Sequence, residues 1–180
     1  MRELDDGKHS SNRAKKLQSM ASRDSIAKLV NDLLVLTGQP DRTTDRTRKS
    51  LELAVLAACE FASPVVDSTH LLCGLIREGN GLAFHILNQL GLTRERLEQT
   101  TARGHKAGES SSLRLDDDLT AALNECWTLA TSLNHNFIGT EHLLLGIVGA
   151  RTRALELLQQ LGVDRSAVNI EIRKLIGAPT

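Results

Sequence analysis

The chain has 180 residues and carries 22 basic and 22 acidic side chains, so its formal net charge at pH 7 is zero. Apolar residues make up 41% and charged residues 24%, a balance typical of a folded protein rather than a disordered one. Aromatic residues are only 2%, so the core must consist mainly of Leu, Ala, Val and Ile, which favours helices. A neutral chain with few aromatic rings is also poorly suited to bind single-stranded nucleic acid, because such binding needs a cationic groove and stacking surfaces.

The cysteines and the apolar runs exclude further classes of protein. Cys59, Cys73 and Cys126 form no CxxC pair and are too few for a disulfide framework, which indicates a reducing compartment. No apolar run approaches the ~18 residues of a membrane span. The N-terminus is acidic and lacks the apolar stretch of a secretory signal. We therefore expect a cytoplasmic protein with no membrane partner.

Residues 1–43 are predicted to form an N-terminal extension. Residues 1 to about 18 are polar and aperiodic, which predicts a disordered tail. From about Asp24 to Leu36 the spacing of apolar residues predicts one amphipathic helix, ended by Gly38 and Pro40. Because its apolar stripe needs a partner, we expect this helix to pack on the rest of the chain.

The extension is also the source of an alternative function. Between Lys8 and Lys28 the chain carries six basic residues and one acidic residue, Asp24. A solvated tail explains this stretch, since no aromatic or glycine-rich pattern accompanies it. The alternative is a small helical regulator that contacts nucleic acid through the stretch.

The rest of the chain contains an internal repeat. An offset of 72 residues aligns His70 with His142 and Gly74 with Gly146, together with the leucines that follow each histidine. After one deletion the offset becomes 71, and Leu87–Leu92 aligns with Leu158–Val163. The chain is therefore a tandem duplication.

Each copy is predicted to contain four helices, with repeat 1 at residues 44–103, a linker at 104–114 and repeat 2 at 115–177. The first helices are expected at about Thr47–Ala62 and Asp117–Leu133, and the fourth at Arg94–Ala102 and Arg165–Ile176. Ser68 and Thr140 are predicted to cap the second helices, and Gly91 and Gly162 to end the third. The predicted fold is all-α: a tandem duplication of a four-helix repeat packed as a pseudo-twofold bundle, with an extra N-terminal helix.

The segment Asn134–Gly146, NHNFIGTEHLLLG, resembles the signature of the Clp repeat, which occurs twice in the N-terminal domains of ClpA, ClpB and ClpC unfoldases. The resemblance covers roughly residues 44–177 and implies an all-α module that binds adaptors and substrates. No Gly-x-x-x-x-Gly-Lys-Ser/Thr motif accompanies it. We therefore expect a stand-alone double Clp N-domain without AAA+ modules: a non-catalytic accessory or adaptor in Clp-type protein quality control, whose partners are an unfoldase, a protease core or client proteins.

The resemblance also implies candidate binding residues. Some ClpC-type members bind phosphoarginine in two pockets, one per repeat, each using the glutamate before the repeat histidine and a threonine that opens the first helix. Repeat 1 retains Thr44 and Arg46 but has Thr69 at the glutamate position. Repeat 2 retains Glu141, with Thr140 beside it, but has Asp116 at the threonine position. Each pocket is thus incomplete, and phosphoarginine is the one small-molecule ligand that we consider.

Structural interpretations compete with these functional ones. Thr140 and Glu141 are also typical of a helix N-terminus. His70 and His142 lie in separate repeats, so we expect each to fill a local hydrogen-bonding role, with no metal, cofactor or catalytic site. Trp127 aligns with Val55 and is predicted to pack in the core, as are Cys73 and Cys126.

Overall fold

The structure is a computed structural model that describes residues 23–104 and 113–176. An N-terminal helix, α1 (Arg23–Leu36), precedes the two repeats. The helices of repeat 1 are α2 (Asp45–Glu60), α3 (Ser68–Glu78), α4 (Leu82–Gln89) and α5 (Arg94–Gly104). Those of repeat 2 are α6 (Asp117–Asn124), α7 (Cys126–Ser132), α8 (Thr140–Gly149), α9 (Arg153–Gln160) and α10 (Arg165–Ile176). Strands β1 (Val65–Val66) and β2 (Arg114–Leu115) are two residues each. The all-α prediction is confirmed.

Helix α1 packs on α2 and α6, as its apolar stripe predicts. It buries Val30, Leu33 and Leu34 against the core, while Val35 on its opposite side is 57% exposed. Gly38 follows in the left-handed conformation with φ 86°, and Pro40 opens a short 3₁₀ turn. The predicted tail and most of the basic stretch lie outside the described residues.

The two repeats exchange matching backbone contacts. The N–H of Thr44, ahead of α2, donates to the carbonyl of Ile138, ahead of α8, at 3.0 Å. At the aligned positions of the other copies, the N–H of Asp116 donates to the carbonyl of Val66 at 2.9 Å, within the parallel pairing of β1 with β2. Each repeat thus sets the start of its first helix beside the start of the other repeat's second helix.

Hydroxyl groups strengthen this exchange. The Ser68 hydroxyl accepts from the N–H of Ala154 at 3.0 Å, at the start of α9. The Thr140 hydroxyl accepts from the N–H of Ala83 at 3.2 Å, at the start of α4. Each of these residues therefore caps a third helix of the opposite repeat.

The predicted caps of the second helices were consequently wrong by one residue. Asp67 caps α3: its carboxylate accepts from the N–H groups of Thr69 and His70. Gly139 precedes α8 and donates its N–H to Nδ1 of His142 at 2.8 Å. The glycine ends of the third helices are confirmed, since Gly91 has φ 83° and Gly162 has φ 84°.

The single first helix predicted for repeat 2 is broken at Glu125 into α6 and α7. The N–H of Glu125 turns to the carbonyl of Leu123. At the same place the Cys126 thiol contacts the carbonyl oxygens of Ala122 and His142, each at 3.6 Å. The Cys126 thiol thus bonds back to a carbonyl four residues earlier and also reaches the start of α8, so the break lies where α7 packs against α8.

The core is built from aliphatic residues. Its large, fully buried aliphatic side chains include Leu33, Leu34, Leu51, Leu71, Leu72, Leu75, Ile86, Leu87, Leu92, Leu97, Leu119 and Leu123. Helices from both repeats and α1 contribute to one continuous cluster. Among the residues that the structure describes, no helix is long and apolar enough to span a membrane.

Candidate functional site

The cross-repeat exchange brings four of the six predicted site residues into one cavity of about 370 Å³, which we call the Glu141 pocket. Its lining is Thr44, Asp45, Arg46, Gly81, Leu82, Phe137, Gly139, Thr140 and Glu141. The pairing of site residues within one repeat was therefore wrong. Repeat 1 supplies the start of α2 and the start of α4, whereas repeat 2 supplies the start of α8.

Glu141 is the buried acid of this pocket. Its side chain is only 8% exposed, and this burial raises the pKa of its carboxyl group, although its own backbone N–H and nearby His135 oppose the shift. In the described part of the chain, no Lys or Arg side chain forms an ion pair with it. A buried carboxylate beside a cavity and without a cation attracts a positively charged ligand group.

Two glycines make room for this arrangement. A Cβ added at Gly139 would overlap the Glu141 carboxylate, and one at Gly81 would lie 2.6 Å from the Thr140 hydroxyl and 2.8 Å from Oε2 of Glu78. Any larger residue at either position would therefore displace a polar group at the pocket.

Arg46 supplies the positive charge at the rim of the Glu141 pocket. Its side chain is 62% exposed, and its Nε lies 3.9 Å from Oε1 of buried Glu78. The other oxygen of Glu78 accepts the N–H groups of Asn80 and Gly81, which closes the turn between α3 and α4. The contact with Glu78 is long and most of the Arg46 side chain is exposed, so its guanidinium is accessible to an anionic group at the rim.

Phe137 provides an apolar side to the same rim. It is 41% exposed and stacks on the ring of His135, with ring centroids 5.3 Å apart and planes within 9°. Leu82 lies across the pocket and is partly buried. The pocket thus combines one buried acid, one exposed guanidinium, the exposed carboxylate of Asp45 and two apolar side chains.

Beside the pocket, His135, Glu141 and His142 place candidate metal-ligand atoms within 4.8 Å of one another. The sequence prediction missed this group. Since Nδ1 of His142 accepts the N–H of Gly139, its proton is assigned to Nε2, which then donates to Nδ1 of His135 at 2.9 Å.

This hydrogen bonding does not suit a metal ion. A metal on Nε2 of His142 would move the ring proton to Nδ1, where it would face the N–H of Gly139. Burial lowers the pKa of His142 to about 4, and protonation of His135 would act in the same direction, so the His142 ring is neutral at pH 7. His142 is therefore a structural residue that caps α8 and positions His135.

The remaining predicted site residues, Thr69 and Asp116, belong to a second group, which we call the Arg153 cluster. The three guanidinium nitrogens of Arg153 lie 3.2 Å from Oδ2 of Asp67, 2.5 Å from Oδ1 of Asp116 and 3.7 Å from Oδ2 of Asp118. Thr69 donates its hydroxyl to Asp67 at 2.6 Å. The cluster occupies the position in the pseudo-twofold arrangement that corresponds to the Glu141 pocket.

Electrostatics stabilise the Arg153 cluster. The hydrogen bond to Asp116 raises the pKa of Arg153. Partial burial by itself would raise the pKa of Asp116, but the hydrogen bond from Arg153, the hydrogen bonds with Asp118 and the charge of Arg153 together outweigh burial, so the net pKa is lowered. Two aspartates of the acidic run at the start of repeat 2, Asp116 and Asp118, thus pair with a cation of the same chain, which the sequence did not single out.

Two further predictions concern core residues. Cys73 and Cys126 are fully buried as expected, and burial raises the pKa of each thiol to about 12. Trp127 is only partly buried, unlike its aligned residue Val55. Its ring packs against the core on one side, and the Arg42 guanidinium lies 5.6 Å from the ring centroid.

Solved structures with this fold include N-terminal domains of Clp proteins. The N-terminal domain of the chaperone ClpD from Arabidopsis thaliana superposes with a TM-score of 0.62 at 17% identity, covering 75% of this chain and 98% of that one. A complex of the ClpV N-domain with a VipB peptide gives a TM-score of 0.62 at 18% identity, covering 81% of this chain and 91% of that one.

Curated sequences of Clp proteins are also similar to this chain. The negative regulator of genetic competence ClpC/MecB of Bacillus subtilis is 31% identical over 144 residues, which is 76% of this chain and 17% of that protein. A probable ATP-dependent Clp protease ATP-binding subunit of Chlamydia pneumoniae is 31% identical over 139 residues, or 74% of this chain and 16% of that protein. The chain thus spans about a sixth of these relatives. A model of the Clp repeat (R) N-terminal domain matches residues 42–159 and again 114–179, so the chain belongs to the Clp repeat N-terminal domain family.

Proposed function

We propose that the chain is a non-catalytic protein-binding module that serves Clp-type proteolysis as an accessory or adaptor in the cytoplasm. We further propose that it recognises an arginine-type side chain of a partner protein in the Glu141 pocket. The observation that carries the proposal is the buried Glu141 carboxylate, which faces a cavity of about 370 Å³ and has no cation of the described chain as its partner.

The rim of the pocket supports this chemistry. Glu141 would accept hydrogen bonds from the guanidinium, while Leu82 and the exposed ring of Phe137 would cover its aliphatic stem. Arg46 and the N-terminus of α2 lie on the opposite side, where an anionic group of the ligand would be favoured. Phosphoarginine would contact both sides of the pocket, so we expect it to bind more tightly than unmodified arginine.

The partner of a structural relative supports a peptide as ligand. The ClpV N-domain was solved with a VipB peptide, and this chain shares its fold. By analogy, we place the partner's peptide along the rim of the Glu141 pocket, with one arginine side chain entering it.

The test uses a fluorescent peptide with a single arginine, the same peptide with phosphoarginine, and the same peptide with citrulline, the neutral isostere of arginine. We expect citrulline to weaken binding by about 10-fold or more, as loss of a charge-assisted hydrogen bond does. Glu141→Gln should lower the affinity for the arginine peptide to the same level. Glu125→Gln, which neutralises an exposed carboxylate between α6 and α7, is the matched control and should bind like wild type. Equal binding of all three peptides would overturn the proposal.

A further inference from the structure

We infer that this module offers one ligand pocket instead of two, because Arg153 fills the second pocket with a guanidinium of the chain itself. The inference rests on the proposed function of the Glu141 pocket and adds its stoichiometry. It follows from comparing the two pseudo-equivalent sites residue by residue.

The backbone frame of the two sites is the same. Thr140 and Ser68 occupy aligned positions, and each hydroxyl accepts the N–H at the start of the opposite repeat's third helix, at 3.2 Å and 3.0 Å. The starts of α2 and α6 are likewise held by aligned N–H bonds to Ile138 and Val66. The sites therefore differ in their side chains and not in their construction.

The side chains at aligned positions differ in one coherent way. Where the Glu141 pocket has Leu82 at the start of α4, the cluster has Arg153 at the start of α9. Where the pocket has Gly139, the cluster has Asp67, whose side chain is fully buried. At two further aligned positions the pocket has Thr44 and Arg46. The cluster has Asp116 and Asp118 there, which together with Asp67 give it three acids.

These exchanges supply both the cation and the carboxylates that bind it. Arg153 directs Nη1 and Nη2 at Asp67 and Asp116, and its Nε lies 3.7 Å from Asp118, while half of the side chain remains exposed. The Ser68 hydroxyl also donates to Asp118 at 2.5 Å and so holds one of the three acids in place. Because Arg153 is part of the chain, its guanidinium is present at the cluster at an effective concentration on the order of mM. A free arginine ligand would have to displace it.

The experiment maps amide chemical shifts of the full chain by NMR during titration with N-acetyl-arginine N-methylamide. In the wild type we expect shifts at Gly81, Ala83 and Gly139 around the Glu141 pocket, and no saturable shifts at Thr69 and Ala154 around the Arg153 cluster. Arg153→Leu, which copies the residue of the aligned position, should add a second saturable site at the cluster.

Removing Arg153 leaves carboxylates close together, and their repulsion opposes folding of the variant. Arg153→Leu with Asp118→Asn relieves that repulsion and serves as the second variant. Two saturable sites of similar affinity in the wild type would overturn the inference. The inference would also be overturned if no second saturable site appeared in an Arg153 variant that keeps the wild-type pattern of amide chemical shifts. Adding Glu141→Gln to the Arg153 variant separates the two proposals, since it should remove binding at the Glu141 pocket and leave binding at the cluster. No shifts at Gly81 and Gly139 in the wild type would overturn the proposed function instead.

Discussion

Replacing Gly146 by alanine provides a sharp test of the packing between α6 and α8. A Cβ at this position would overlap the carbonyl oxygen of Ala122, and it would lie 3.1 Å from the carbonyl carbon and 3.5 Å from Sγ of Cys126. The aligned glycine of repeat 1, Gly74, meets the α2 backbone in the same way, with Ala54 N at 2.9 Å. The two glycines therefore allow the first and second helices of each repeat to touch backbone to backbone.

Two effects of the substitution oppose each other. Alanine is the better helix former by about 1 kcal/mol, which would stabilise α8. However, the new methyl group meets backbone atoms, so whole helices must separate, and overpacking of this kind costs about 1–3 kcal/mol or more. Because the obstruction is a carbonyl group and not the flexible end of a side chain, we expect the second effect to win. The free energy of unfolding should fall by about 2 kcal/mol.

Urea unfolding followed by circular dichroism at 222 nm measures the change, and α8 itself provides the control. Gly149 lies three residues further along the same helix, and a Cβ there would meet no atom within 4 Å. Gly149→Ala should therefore leave stability unchanged or raise it by up to about 1 kcal/mol. If Gly146→Ala is as stable as the wild type, or if both variants lose the same amount, the close helix contact is refuted as the reason for the glycine.

Three further outcomes follow from buried titratable groups. Glu141→Gln should raise the free energy of unfolding at pH 7, because the pKa of Glu141 is raised in the folded protein and its ionisation therefore destabilises the fold. In acid, where Glu141 is protonated, this gain should vanish. Urea unfolding at several pH values measures the difference. The pKa of His142 is about 4 in the folded protein, against ~6.5 in the unfolded chain. The free energy of unfolding should therefore fall by about 2 kcal/mol as pH decreases from ~7.5 to ~5, and a His142→Gln variant should lack this pH dependence. The thiols of Cys73 and Cys126, whose pKa burial raises to about 12, should react with Ellman's reagent only after unfolding in urea. Because Cys59 is a third free thiol, rapid reaction of more than one thiol per native chain would contradict their burial.

Much of the fold was predictable because helix formation is largely a local matter. Apolar spacing and Gly38 located the end of α1 at Leu36, and Gly91 and Gly162 marked the ends of the third helices. The duplication added a check that a single copy would not give, since one pattern had to explain both halves of the chain. The break at Glu125 escaped prediction because the buried residues Ala122, Cys126 and Ala130 keep helical spacing across it.

The candidate site was only half predictable. Thr44, Arg46, Thr140 and Glu141 were selected from the resemblance, but each was assigned a partner in its own repeat. The structure pairs them across repeats, because the backbone of one repeat's connector hydrogen-bonds to the start of the other repeat's first helix. Such a pairing joins residues more than 90 positions apart, as between Thr44 and Ile138, and leaves no local trace in the sequence.

By itself, then, the sequence determined that the chain is a duplicated helical repeat, because apolar periodicity, glycine ends and a repeated motif are properties of neighbouring residues. Only the tertiary structure decided which charges meet. Arg153 and Glu141 are both ordinary charged residues of helix starts in the sequence. Packing gives Arg153 three carboxylates and leaves Glu141 buried without a cation of the described chain, because a charge is defined energetically by its neighbours and its access to water.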